Sequence, residues 1–285
     1  MAKILVTGAG GFVAGYLRRV LIRDGFKVAS VSRSSIRPID GERVLTVSGY
    51  DDPAIPDVAR GCSAAIHLVG GGQQTIHHQY HDTNHFPAAA VAEACRAADV
   101  PRMIYLSGLG VSPDATSGYF ISKYLAERAV AGSVPEPVIF RPSYIIGPND
   151  HLTSNLRRQA QTCAITIPGS GRYMMQPISV HDAVRVLAMA ATGGAFAGRT
   201  LDMVGPQTTT FAEYVRAFAG PKTRIIHADM EEIYRDAVLG RDPAYELDDL
   251  GIMVGGYVGD HGTLRRITGM QFRTIPQMLQ SGGPA

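Results

Sequence analysis

Tyr119 and Lys123 carry a strong chemical signal, because the segment from Ser117 to Lys123, SGYFISK, reads as the start of a helix. Residues four apart lie on one helical face, so the two side chains project together. An ammonium beside a phenol stabilises the phenolate and lowers its pKa, which brings a tyrosine within reach of proton transfer near neutral pH. Two exposed residues four apart are common in any helix. Here, however, the pair follows a buried-type strand at Arg102–Leu106, whose C-terminal end should face a ligand in an open α/β sheet.

A second signal lies near the start, where TGAGGFVAG runs from Thr7 to Gly15 between a strand and a helix. A pyrophosphate needs backbone N–H groups aimed at it, a positive helix end and no side chain in the way. Gly8 suits the tight turn, Gly11 the close approach and Ala14 the packing of helix on strand. The pattern GxxGxxA fits, while GxGxxG starting at Gly8 fails because position 13 is Val. Gly8, Gly10, Gly11 and the helix-opening Phe12 and Val13 are therefore the candidates for the phosphate contact of a dinucleotide. An Asp or Glu roughly 20 residues further on would bond a ribose hydroxyl. This chain has Ser32, Arg33 and Ser34 there, a set suited to a 2′-phosphate, so NADP is expected over NAD. Val69 and Gly70, at the head of a glycine run to Gly72, end another strand where backbone must pass close to the cofactor.

The elements that position these residues alternate. Strands are predicted at Ala2–Thr7, Lys27–Val31, Val44–Val47, Ala64–Val69, Arg102–Leu106 and Pro137–Arg141. Helices are predicted at Phe12–Asp24, with Gly25 at its C-terminal end, and at Ala88–Ala98 and Tyr119–Val130. Such alternation implies right-handed crossovers and a doubly wound parallel α/β sheet covered on both faces, a Rossmann sheet. Residues 1–148 are expected to form that dinucleotide-binding domain. A helix at Val180–Ala191 and a strand at Thr200–Val204 bring 177–205 back to it. The rest of 149–285 is expected to form a smaller C-terminal substrate lobe, entered through a polar excursion at Asn149–Tyr173.

Composition narrows the class. Across 285 residues, 45% are hydrophobic and 18% charged, ample for a packed core and unlike a disordered chain. The net charge of +2 gives no reason to expect nucleic acid or an anionic membrane as partner. Three cysteines without a CxxC pair point to a reducing compartment rather than a disulfide framework. No apolar run reaches the roughly 18 residues of a membrane span, and no signal-peptide pattern opens the chain, so a cytoplasmic location is expected. His77, His81 and His85 fall four apart, with His78 and Asp82 alongside. Three ligands on one straight helix would span about 12 Å, too far for one ion. The segment reads as polar lining of the substrate cleft; a two-histidine partial site stays open, and no metal site is expected.

Taken together, Gly8/Gly11/Ala14, Arg33, Asn84 and Tyr119-x-x-x-Lys123 resemble the short-chain dehydrogenase/reductase superfamily, in its extended and atypical branches. Those branches include NAD-dependent epimerase/dehydratase-like and NmrA-like proteins. FRPSYIIGP from Phe140 and QPISVHDAV from Gln176 are similar to two further segments of these branches. The detailed pattern is nearest to the group of the NADPH-binding accessory subunit of respiratory complex I. The resemblance spans residues 3–205 and implies that Lys123 holds the nicotinamide ribose, Tyr119 is the general acid/base and Asn84 is structural. It implies adenine recognition by Asp51 or Asp52. The family's substrate-orienting serine falls on Gly108, leaving Ser107 or Ser112 to supply that hydroxyl, with Ser107 entered as the third catalytic candidate. The function expected is hydride transfer between NADP(H) and a carbonyl or alcohol carbon of a small molecule. The alternative is a non-catalytic NADPH-binding sensor, assembly or accessory protein. A homodimer and a respiratory-complex association are the macromolecular partners held open.

Overall fold

In the computed structural model, which describes residues 1–71, 79–241 and 244–282, the chain builds a parallel sheet first. The strands are β1 (Lys3–Thr7), β2 (Lys27–Ser32), β3 (Glu42–Thr46), β4 (Ala64–His67), β5 (Arg102–Leu106) and β6 (Glu136–Pro142). With Thr200–Met203, numbered β11 below, they form seven strands in the order β11-β6-β5-β4-β1-β2-β3. Every pairing is parallel. The chain moves outward from β1 to β3 and then returns to the other side of β1 with β4. This reversal opens a crevice at the C-terminal ends of β1 and β4, where ligands bind in such sheets.

Helices cover both faces because each buries an apolar stripe. Helix α1 (Phe12–Arg23) buries Ala14, Leu17 and Leu21 against β1 and β4. On the opposite face, α2 (Ala54–Ala59), α3 (Phe86–Ala97) and α4 (Gly118–Ala131) pack Ile55, Val91 and Ala126 onto Leu5, Ala65 and Met103. Gly25, at φ 86, turns the chain out of α1 as expected, with Phe26 N–H bonding Leu21 C=O at 2.9 Å. Two boundaries differ from expectation in ways that matter for the site. The fourth strand stops at His67, freeing Leu68 to Gly70 to form a wall of the crevice. Ahead of α3, residues His81–His85 form a π-helical turn.

After β6, β7 (Ile145–Ile146) pairs with β10 (Ile178–Ser179), and α6 (Val180–Ala190) returns to lie beside α1 before β11. The segment read as a polar excursion contains α5 (His151–Ala160) and β8 (Ala164–Pro168). Only Leu152 and Leu156 are apolar and buried on α5, so its periodicity is faint in sequence. Asp150 caps it, accepting from Thr153 N–H at 2.8 Å. Beyond these come β9 (Met174–Met175), β12 (Thr209–Thr210), α7 (Phe211–Phe218) and β13 (Arg224–Ala228). The chain ends in α8 (Met230–Leu239), α9 (Leu247–Met253), α10 (His261–Thr268) and α11 (Ile275–Gly282). Parts of these elements share a separate apolar cluster around Leu156, Ile165, Phe211, Tyr214 and Met253. The motif beginning at Gln176 ties that region to the sheet. Gln176 donates to Gly205 C=O at 2.8 Å and accepts from Gly259 N–H at 2.9 Å, and Asp182 pairs with Arg273.

Under the glycine loop, Arg18 makes a two-pronged bond to Glu42, both contacts 2.6 Å, while Ser30 and Ile39 N–H donate to the same carboxylate. Burial alone pushes Glu42 up, but these donors outweigh it and hold the group below its ordinary value. A carboxylate depressed in this way contributes stability that is complete above its unfolded pKa, about 4.3. That contribution is lost as pH falls through the lower folded value. Glu42→Gln is expected to cost about 3–5 kcal/mol at neutral pH by leaving Arg18 buried without its partner. The difference from the unsubstituted protein should shrink below about pH 4. Urea denaturation at neutral and acid pH checks this, and an equal gap at both would contradict it.

Candidate active site

At the head of the crevice Gly8 adopts φ 76, and a Cβ there would stand 2.9 Å from the backbone of both Leu68 and Val69. A side chain is excluded twice over, by conformation and by space. Gly11 is the N-cap of α1 and no side chain caps the helix, while Phe12 and Val13 form its first turn. Gly8, Gly10 and Gly11 line one side of a cleft of about 470 Å³, and Val69 and Gly70 line another. Bare backbone and an uncapped helix start are what a pyrophosphate requires, so the residues present fit a dinucleotide.

Ser32, Arg33 and Ser34 line the same cleft from the end of β2. A Cβ on Gly10 would lie 3.2 Å from the Ser32 hydroxyl and 3.3 Å from that of Ser34. Tyr50, which the sequence reading did not single out, completes this end, with the Arg33 guanidinium 6.0 Å from its ring centre. An adjoining cavity shares Arg33 and Tyr50 and contains Asp51, whose carboxylate folds back over Gly49. The two adjacent aspartates therefore part company. Asp51 faces this cavity, whereas Asp52 bonds Ala54 N–H at 2.9 Å at the start of α2.

Lys123 lies deeper. Its ammonium donates to Leu106 C=O at 3.3 Å and sits 2.6 Å from where a Cβ on Gly70 would be. Asn84, on the π-helical turn, bonds both backbone groups of Gly71 at 3.1 Å and donates to the Ser122 hydroxyl at 3.1 Å. Ser122 in turn donates to Tyr119 C=O at 2.7 Å, so one chain of bonds joins the glycine run to α4. Beneath it, buried His67 contacts the Thr7 hydroxyl at 2.7 Å through Nδ1 and lies beside Tyr105. Burial, with Lys123 nearby, pushes His67 down to about 3, so it is uncharged.

The expected phenol–ammonium coupling differs in this structure. Desolvation pushes Tyr119 up to about 12 and Lys123 down to about 8. The ammonium lies 6.0 Å from the Tyr119 ring centre, and burial outweighs its attraction for a phenolate. Tyr119 is consequently a protonated phenol at neutral pH.

Tyr119 also borders a second pocket of about 190 Å³, together with Ser107 and Gly108. A Cβ on Gly108 would lie 3.6 Å from the Tyr119 hydroxyl oxygen, so the serine position inferred from resemblance faces the phenol and carries no hydroxyl. Ser107 lines the same pocket, and its buried Oγ has no hydrogen-bond partner. Ser112 instead accepts from Asp114 N–H at 3.2 Å in the following loop. The far wall was not anticipated: Phe120 comes from α4, Tyr144 from the turn after β6, and Ile252 and Tyr257 from more than a hundred residues later. Gly72 of the glycine run and His77 and His78 of the histidine segment lie outside the described residues. His81 and His85 meet through Nδ1 atoms 3.1 Å apart. Among the described residues no group of three or more His, Cys, Asp or Glu is arranged to hold a metal ion.

The NAD dependent epimerase/dehydratase family model matches residues 4–199, which take in the glycine loop, Arg33, Asn84, Tyr119 and Lys123. The chain belongs to that family. Among curated relatives it is 30% identical to ceramide reductase of Caulobacter vibrioides, over 78% of this chain and 72% of the relative. It is 28% identical to subunit 9 of the mitochondrial NADH dehydrogenase [ubiquinone] 1 alpha subcomplex of Arabidopsis thaliana. That match covers 73% of this chain and 55% of the subunit, so the chain spans about half the length of that relative. The solved structure of MoeE5 in complex with UDP-glucuronic acid and NAD superposes with a TM-score of 0.78. Its sequence identity is 20%, with 99% of this chain and 97% of that one covered, a likeness of fold. Members of this family bind NAD(P), and no helix among the described residues is long and apolar enough to cross a membrane.

The contrast between two glycines tests the geometry. Gly8→Ala is expected to cost about 1–3 kcal/mol, because alanine must adopt a left-handed conformation against backbone. Gly108→Ala, with no atom nearer than 3.6 Å, is expected to stay within about 0.5 kcal/mol. Thermal or urea denaturation of the two variants checks the difference.

Proposed function

We propose that the chain is an NADP(H)-dependent oxidoreductase acting on a carbonyl or alcohol carbon. The observation that carries this reading is the placement of Tyr119 and Ser107 on one pocket, with Lys123 lying 6.0 Å from the Tyr119 ring centre and against Gly70 in the wall of the dinucleotide cleft. When bound, NADPH supplies the hydride that forms the new C–H bond and becomes NADP⁺. Tyr119 gives its proton to the carbonyl oxygen, whose π pair becomes the O–H bond, so the product is the alcohol. Ser107, with an unpaired hydroxyl, orients that oxygen. Lys123 holds the ribose beside Tyr119, and Asn84 keeps the glycine run and α4 in register. The elements after Pro148 serve as the substrate lobe.

Preference for NADP rests on Ser32, Arg33 and Ser34, with no carboxylate lining the cleft among the described residues. Glu42 is spent on Arg18 beneath the loop. A guanidinium and two hydroxyls suit a 2′-phosphate. Asp51 is the proposed adenine contact.

One observation favours a second reading, a nucleotide-binding accessory or sensor protein that catalyses nothing. Gly108 leaves the hydroxyl position beside Tyr119 empty, and loss of one such donor can cost 10²–10³ in rate. Some relatives are subunits of a respiratory dehydrogenase, so association with such a complex belongs to this reading.

Two outcomes separate the readings. Tyr119→Phe is expected to abolish ketone-dependent NADPH oxidation, at least ~10²-fold, while NADPH affinity by fluorescence titration stays within about twofold. Turnover that persists in this variant removes Tyr119 as the acid, and absence of turnover in the unsubstituted protein with tight NADPH binding supports the accessory reading. Arg33→Ala is expected to weaken NADPH binding about tenfold or more, as loss of a charge-assisted contact does, and to leave NADH binding nearly unchanged. Equal loss for both nucleotides would count against the 2′-phosphate assignment.

A further inference from the structure

We propose that the pocket beyond Tyr119 takes a compact, uncharged, apolar carbonyl compound, a short alkyl or single-ring ketone or aldehyde, and that Tyr257 sets the length of chain it accepts. The chemistry rests on the oxidoreductase reading; the occupancy rests on the walls. Leu109, Phe120, Pro142, Tyr144, Ile252 and Tyr257 surround the polar positions at Tyr119, Ser107 and Ser143. Among the described residues no lysine, arginine, aspartate or glutamate lines the pocket. A diphosphate or carboxylate entering it would lose its water without a cation or fork of donors in exchange, which is costly. At about 190 Å³ the pocket is also smaller than the roughly 300–1,000 Å³ of sites that hold drug-sized ligands. Both observations turn away a nucleotide sugar.

Tyr257 is held firmly as one wall of this pocket. Its N–H donates to Met174 C=O at 3.0 Å, and two residues on, Gly259 N–H donates to Gln176 at 2.9 Å. The ring lies 5.7 Å from that of Phe120 and is nearly buried. Two glycines make the room for it. A Cβ on Gly110 would stand 2.6 Å from Tyr257 Cε1, and one on Gly255 would stand 2.1 Å from its hydroxyl oxygen. Bare backbone on both sides lets the ring pack against the loop that follows β5, where it limits the room left to an occupant. Burial, with Tyr119 facing it, pushes the Tyr257 phenol up to about 12, which keeps this end uncharged. The reaction carried out on such an occupant balances as ketone plus NADPH plus a proton giving alcohol plus NADP⁺.

The test is a series of 2-alkanones from butanone to dodecanone, assayed by NADPH oxidation with the unsubstituted protein, Tyr257→Ala and Ile252→Ala. The isoleucine variant opens the same pocket from α9 should the tyrosine variant fold poorly. The unsubstituted protein is expected to lose kcat/KM beyond about six to eight carbons, tenfold or more for each methylene that does not fit. Tyr257→Ala is expected to raise the ratio of kcat/KM for 2-decanone over 2-hexanone at least about tenfold, chiefly through KM. Calorimetric titration of the matching 2-alkanols in the presence of NADP⁺ reads occupancy without turnover. Alcohols that bind with the same cut-off, moved by either variant, support the pocket assignment even where no ketone is reduced and the oxidoreductase reading falls. An identical chain-length profile in all three proteins overturns the role of Tyr257. Binding of UDP-glucose as tight as that of the best alkanol, or of no alkanol at all, overturns the assignment of the pocket.

Discussion

Where β1 and β4 end side by side, the chain at Gly8 comes so near Leu68 and Val69 that a Cβ would stand 2.9 Å from either backbone. The rest of the crevice depends on that approach. It allows the loop to turn directly into α1 with nothing capping the helix, so that positive end faces the cleft. β4 stops at His67, and Leu68 N–H still bonds Thr7 C=O at 3.0 Å, which keeps the two chains side by side at the loop. Arg18 and Glu42 then hold this arrangement from below, bonding Ala9 C=O and Ile39 N–H respectively.

The two halves of the site are joined by groups that are nearly or wholly dry. Lys123 occupies the space a side chain at Gly70 would need, and Asn84 ties the adjacent glycine to the start of α4. Asn84 makes these bonds from within the π-helical turn His81–His85. Low dielectric has a chemical result: burial raises the Tyr119 phenol and lowers the Lys123 ammonium. Both shifts favour the neutral forms, so the phenol keeps its proton rather than resting as a phenolate.

The wall facing Tyr119 is assembled from the other end of the chain. Gln176, within the motif resembling the family, receives Gly259 N–H and so places Tyr257 against Gly110. A segment that looks like a sheet motif in sequence thereby shapes the substrate pocket.

The sequence by itself determined the parallel sheet, the glycine loop, the serine–arginine pair after β2 and the Tyr119–Lys123 spacing. Each is a local pattern: strand and helix periods, a turn that only glycine makes, two residues one helical turn apart. Helix α5 was not legible because two leucines in ten residues give too faint a stripe. The tertiary structure decided what depends on burial and on distant partners. It set Asp51 apart from Asp52, left the Ser107 hydroxyl buried without a partner beside the pocket and placed Gly108 opposite Tyr119. It also reversed the expected direction of the Tyr119 shift, since spacing shows which charges are near and says nothing of how much water has been removed. Tyr50 and Tyr257 had no local signature at all, and Tyr144 was legible only as part of the motif beginning at Phe140. A pocket wall needs only size and direction from each residue, and these are set by how the chain packs.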